Sequence, residues 1–207
     1  MKRQTYKNRN VVLILTLLLA LPLAALAQDN HHSTQKNQGT ANSNPVKTLA
    51  LLELSMQQNI GKDAKVFGRA QGEYWDLIQS TNDFPRAYDF FSQLVAAHPS
   101  SPEALGLEGS AIGAYVGFIY SSELAQQVDE QFVANLDSKA RADFEKALKL
   151  DSNNFTALFG YAIYESYRPG GSEHSKELFS RLEGLRSSHP EYPWHVVDEM
   201  KKERGGK

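Results

Sequence analysis

The 207-residue sequence predicts an all-α fold of about three antiparallel helix pairs with a terminal capping helix. Three observations predict it. No segment sustains the apolar–polar alternation of a half-buried strand. Two segments repeat one helical apolar spacing, Ala87, Phe91 and Leu94 and then, 53 residues on, Ala140, Phe144 and Ala147. Each of these segments runs into residues that stop a helix and start another. Pro99 precedes Ser101 and Pro102 in the first, and Asp151-Ser152-Asn153-Asn154 precedes Phe155 in the second. Ser, Asp and Asn side chains hydrogen-bond nearby backbone and favour caps and turns over helix interiors.

The first 27 residues have the three-part form of an export signal. Lys2, Arg3, Lys7 and Arg9 make a basic start, Val11 to Leu21 an apolar run, and Ala25-Leu26-Ala27 a small-residue cleavage site. Cleavage after Ala27 is expected, which places the mature protein in the periplasm with no membrane insertion. The competing reading is a retained anchor, for which the 17 residues of Val11–Ala27 are short. The chain has no cysteine, which rules out a lipoprotein anchor, disulfides, thiol catalysis and cysteine metal sites. Lys and Arg total 22 against 24 Asp and Glu; removing the four basic residues of the signal takes the formal charge from −2 to −6. Nucleic acid, which needs a clustered basic face, is not an expected partner. Residues 28–44 are polar, include His31-His32, and read as a disordered spacer.

A helical domain is expected over 45–204. Pro45 to Ile60 carries Leu49, Leu52 and Met56 on one face and ends at Gly61. Asp63 to Gln79 carries Val66, Phe67, Ala70, Tyr74 and Ile78 on a stripe, with Trp75 beside it. Phe84 to His98 holds the first repeated triad. Ser101 reads as an N-cap with Pro102 at the first helical position, opening a helix to about Ser121. That helix contains Gly106, Gly109, Gly113 and Gly117. Glycine costs about 1 kcal/mol per site in a helix interior, so close helix–helix packing is expected there. Ser122 to Ser138 is an insertion in which Leu124, Val128 and Phe132, at four-residue steps, predict an extended or added helix. Lys139 to Leu150 and Phe155 to Tyr167 follow, then Arg168-Pro169-Gly170-Gly171 as a turn. Ser172 opens a helix to about Ser187, and Pro193 to Arg204 forms a cap with Trp194 and Val197 inward.

Residues Ala140, Phe144 and Ala147, with Ala147-Leu148-Lys149-Leu150-Asp151 leading into the turn, resemble the second helix and turn of a tetratricopeptide (TPR) repeat. Ala87, Phe91, Leu94 and Pro99, followed by Leu105 and Gly109, match the same template. Ser152 stands where the family usually has proline, and Trp75 where it has glycine. The 53-residue spacing exceeds the 34-residue family repeat by the insertion. The resemblance implies a right-handed superhelix and a non-enzymatic protein-interaction scaffold of the bacterial cell envelope. It also implies that a peptide or protein sits in a concave groove lined by the first helix of each pair. Helix-surface spacing then makes Glu103, Leu107 and Ser110, and Phe159, Ile163, Ser166 and Tyr167, the candidate partner-binding residues; the competing reading has Phe159 and Ile163 covered by the insertion or the terminal helix. Two narrower readings stay open: an accessory protein of cytochrome c maturation that binds apocytochrome, or a ligand-binding accessory subunit of a periplasmic solute transporter.

No catalytic, cofactor or metal residues are expected. His98 and His189 close helices, where the dipole favours them, and no His-x-x-x-His, nucleophile-elbow or P-loop pattern occurs. The carboxylates read as solvated helix-surface charges, Asp143 and Glu145 among them.

Overall fold

The structure, a computed structural model, describes residues 45–205 other than 169 and 191, and every regular element among them is helical. The expected signal peptide 1–27 and spacer 28–44 lie outside the described residues. In chain order the α-helices are α1 (Pro45–Asn59), α2 (Ala64–Thr81), α3 (Phe84–Ala97), α4 (Pro102–Ser121), α5 (Glu130–Leu150), α6 (Phe155–Ser166), α7 (Ser172–Leu185) and α8 (Trp194–Gly205). A 3-10 turn, Glu123–Gln126, joins α4 to α5. No helix among the described residues is long and apolar enough to cross a membrane.

The helix starts follow their caps. Ser101 Oγ accepts from the Ala104 N–H at 3.2 Å with Pro102 in the first turn, and Asn154 Oδ1 accepts from the Ala157 N–H at 3.0 Å. Asp129 Oδ1 accepts from Gln131 N–H at 2.9 Å and opens α5. Each such cap contributes about 1 kcal/mol, because it satisfies a helix donor that has no partner within the helix.

The described chain divides into two compact units, residues 82–184 and residues 45–81 with 185–205. In the first, α4 packs against α3, α5 and α6, and α5 against α6. The glycines of α4 make this contact possible. A Cβ on Gly106 would come within 3.0 Å of the Ala157 backbone nitrogen, and one on Gly109 within 2.8 Å of the Phe144 ring. A Cβ on Gly160 of α6 would meet the same ring at 2.9 Å and collide with Ser110 Oγ. Phe144 therefore lies fully buried in a slot that only glycines leave open, stacked on Tyr161 with centroids 5.0 Å apart. The two repeated segments correspond position by position. Ala87 and Ala140, Phe91 and Phe144, and Leu105 and Leu158 are all buried, and the caps Ser101 and Asn154 hold equivalent places.

The insertion extends α5 back to Glu130, as an extended helix was expected to do, but its three apolar residues do not form one face. Leu124, Val128 and Phe132 do not share a helix: Leu124 sits in the 3-10 turn, Val128 in the bend after it, and Phe132 in the first turn of α5. The 3-10 turn ends at Gln126 with Gln127 as its cap and Asp129 caps the start of α5, so the four-residue periodicity is interrupted, and Val133 and Leu136 are the buried residues instead.

In the second unit, α1 packs on α2 through buried Leu49 and Met56, and the Tyr74 hydroxyl donates to Glu53 Oε1 at 3.3 Å. Phe67, Ala70, Tyr74 and Ile78 form the buried stripe of α2, with Trp75 buried beside them. Val66, expected on that stripe, lies a residue off it and is exposed. On α8, Trp194, Val196, Val197 and Met200 are buried. Arg186 binds Asp198 at 2.6 Å, and its guanidinium sits 4.8 Å over the Trp194 ring.

Candidate functional site

The seven residues chosen from the sequence sit mostly inside the fold. Leu107, Phe159 and Ile163 are buried, while Glu103, Ser110, Ser166 and Tyr167 are half-buried. Several of their polar groups already serve the fold. Glu103 Oε1 accepts from Asn154 Nδ2 at 2.9 Å, tying the start of α4 to the cap of α6, and its Oε2 accepts from Ser101 Oγ at 3.1 Å. Ser110 Oγ donates to the Gly106 carbonyl at 2.8 Å, and Ser166 Oγ to the Ile163 carbonyl at 2.5 Å. Glu103 and Ser110 thus lie on the seam between α4 and α6. The physical reason is that α6 is apolar on nearly its whole circumference, and such a helix is buried all round rather than presenting one wet face.

What the sequence reading missed is a set of buried charges on α4, α5 and α6. Glu108 is 1% exposed in the middle of α4. Its Oε1 accepts from Ser92 Oγ of α3 at 2.6 Å and pairs with Lys139 Nζ of α5 at 2.7 Å. Lys139 also binds Asp143, one turn along α5, at 2.8 Å. The ammonium is therefore shared by two carboxylates from different helices. Asp143, read from the sequence as a surface charge, is buried. Its pKa rises from 3.8 to about 6, chiefly through burial and also through the neighbouring Glu108 charge, while Lys139 pulls it back. Burial works against the Lys139 ammonium too, but its bonds to Asp143 and Glu108 outweigh that and raise its pKa.

The second group centres on Glu165 of α6, 3% exposed. Arg141 Nη2 of α5 lies 3.0 Å from its Oε1, and His174 Nδ1 of α7 lies 3.9 Å from its Oε2. Arg168 closes on Asp137 of α5 and donates to the Tyr164 hydroxyl at 2.8 Å, while that hydroxyl donates to Asp137. Burial, the largest cause, pushes the Tyr161 hydroxyl up to about 12 and raises Tyr164 as well. Both phenols stay protonated at neutral pH and act as donors.

These groups connect helices. A carboxylate taken out of water is costly unless it is paired and hydrogen-bonded; Glu108, Glu165 and Asp137 meet cations or hydroxyls from other elements, and Asp143 meets Lys139 of its own helix. The pairings join α3, α4 and α5 in one group and α5, α6 and α7 in the other. Among the described residues, no group of three or more His, Asp or Glu side chains is placed to hold a metal ion. A sequence signal existed. Glu108 falls in the Leu-Glu-Gly-Ser stretch of an otherwise apolar helix, and Glu165 ends a ten-residue run of apolar and small residues. A charge in such surroundings is one that the fold must pair.

Compared with protein-family models, with curated proteins and with solved structures, the chain finds no significant match in any of the three.

Proposed function

We propose that this chain is a non-enzymatic protein-interaction scaffold, built on degenerate TPR-like helix pairs and exported to the bacterial periplasm. The observation that carries the reading is the internal repeat in residues 82–184. Two successive helix units, α3–α4 and α5–α6, bury the same positions: Ala87 and Ala140, Phe91 and Phe144, Leu105 and Leu158. Even the polar cross-contact recurs. Ser92 bonds to Glu108 between α3 and α4, and at the same 53-residue offset Glu145 accepts from the Tyr161 hydroxyl between α5 and α6 at 3.4 Å. Stacked helix pairs of this kind supply extended surface rather than a reaction centre. The buried carboxylates Glu108 and Glu165 pair with Lys139 and Arg141 of the adjoining helix.

The test is capture. The full chain, immobilised and exposed to a periplasmic extract of its own host, is expected to retain a specific partner that survives a salt wash. If nothing is retained above an unrelated exported helical protein, the scaffold reading fails.

A further inference from the structure

In unit 82–184, α4 and α6 run side by side in the same direction. Glu103 meets Asn154, Gly106 meets Ala157, and Gly113 meets the Tyr164 ring. Yet α4 has 20 residues and α6 only 12. By that register α6 ends near the level of Tyr115, and the last turn of α4 runs on past it. α5 is antiparallel to α4, with Ala147 clustered on Leu105 and Phe144 on Gly109, so its first turns lie beside this overhang. The α4–α5 hairpin therefore projects beyond α6, while the start of α3 reaches α4 at Phe118, and the tip is made of the 3-10 turn and the two helix ends.

This tip exposes large apolar side chains: Tyr120 is 55% exposed, Leu124 39% and Phe132 42%. The nearby charged residues Glu123, Asp129 and Glu130 are exposed and all acidic. The imbalance extends well beyond the tip. Between Arg86 and Lys139 the sequence has no Lys or Arg but seven carboxylates: Asp89, Glu103, Glu108, Glu123, Asp129, Glu130 and Asp137. Of these, Glu108 and Asp137 are paired to Lys139 and Arg168, and Glu103 is bonded to Asn154 and Ser101. The three at the tip have no Lys or Arg in their own stretch of chain to balance them.

We propose that this tip is a docking site for a cationic, amphipathic peptide segment of a partner protein. Its apolar residues would seat on Tyr120, Leu124 and Phe132, and its Lys or Arg side chains would meet Glu123, Asp129 and Glu130. Aromatic and aliphatic anchors supply the contact area, and the surrounding carboxylates select a basic partner and repel acidic ones. The inference rests on the scaffold reading and names the chemistry of its partner.

The probe is a helical amphipathic peptide of leucine and lysine, with a leucine–glutamate peptide of the same pattern as its counterpart. Binding to the full chain is followed by fluorescence anisotropy over a salt series. The lysine peptide is expected to bind and to weaken with salt, and the glutamate peptide not to bind. Leu124→Ser with Phe132→Ser, and separately Glu123→Lys with Glu130→Gln, should each weaken binding about tenfold or more. The same charge change on α7, Glu173→Lys with Glu177→Gln, should leave affinity unchanged. The tip residues are exposed, so urea midpoints should hold, and the charge variant decides the matter if the apolar one does not fold. Wild-type affinity in the tip variants, or equal weakening by the α7 control, overturns the proposal. So does a dimer that the Leu124→Ser/Phe132→Ser variant converts to monomer while the lysine peptide goes unbound, because the occupant is then a second copy. A partner captured equally well by wild type and tip variants would refute the tip alone. Capture of no partner at all would refute the scaffold reading.

Discussion

Replacing Phe144 with alanine tests the packing at its centre, and the structure sets both the size and the sign of the effect. The ring is fully buried, stacked on Tyr161 at an interplanar angle of 10° and 5.8 Å from the Tyr164 centroid. Phe→Ala in such a site costs about 3–5 kcal/mol, and loss of the aromatic pairing adds about 0.5–1.5 kcal/mol where the cavity does not close. The partner glycines sharpen the test. Alanine at Gly109 would place its Cβ 2.8 Å from the ring, so Gly109→Ala alone should destabilise by about 1–3 kcal/mol through overpacking. With Phe144 already alanine the clash is gone, and only the helix preference for alanine over glycine is left, about 1 kcal/mol in favour. Gly109→Ala should therefore change sign between the two backgrounds. Urea unfolding of the four proteins of this double-mutant cycle, read as midpoints at constant slope, measures it. A Phe144→Ala loss under about 1 kcal/mol, or the same Gly109→Ala effect in both backgrounds, would refute the slot-packing account.

The buried charges and the chain start give three more expected outcomes. Lys139→Met should cost about 2–3 kcal/mol, since it strands Glu108 without its cation, and adding Glu108→Gln should recover most of the loss in urea unfolding. Asp143 holds its proton more tightly folded, at about 6, than unfolded, at 3.8, so the stability it contributes is full below pH 3.8 and is lost as pH rises through about 6. The loss is on the order of 2–3 kcal/mol, and Asp143→Asn should flatten the pH profile of the urea midpoint across that window. N-terminal sequencing of the exported protein should begin at Gln28; an intact Met1 would favour a retained anchor.

Outside the insertion at 122–138, periodicity and caps were enough to read the helices from the sequence. Ala87, Phe91 and Leu94, Ala140, Phe144 and Ala147, and the caps Ser101 and Asn154 specify where helices run and which stripe is buried, because those are properties of a few neighbouring residues. The glycines of α4 announced close packing for the same reason, although which ring entered the slot required the fold. Solvent exposure was not legible, since it depends on what other helices cover. Phe159 and Ile163 fit a groove face on α6 taken alone and are interior in the fold, while Leu124 and Phe132, spaced as if on one helix, are exposed. Charge pairing was decided by tertiary structure as well. Lys139 and Glu108 are 31 residues apart, Arg141 and Glu165 are 24 apart, and only the stacking of α4, α5 and α6 brings each pair to within 3.0 Å. Local spacing sets which side of a helix a residue occupies, and the relative lengths of α4 and α6 decide whether that side meets a neighbour or water.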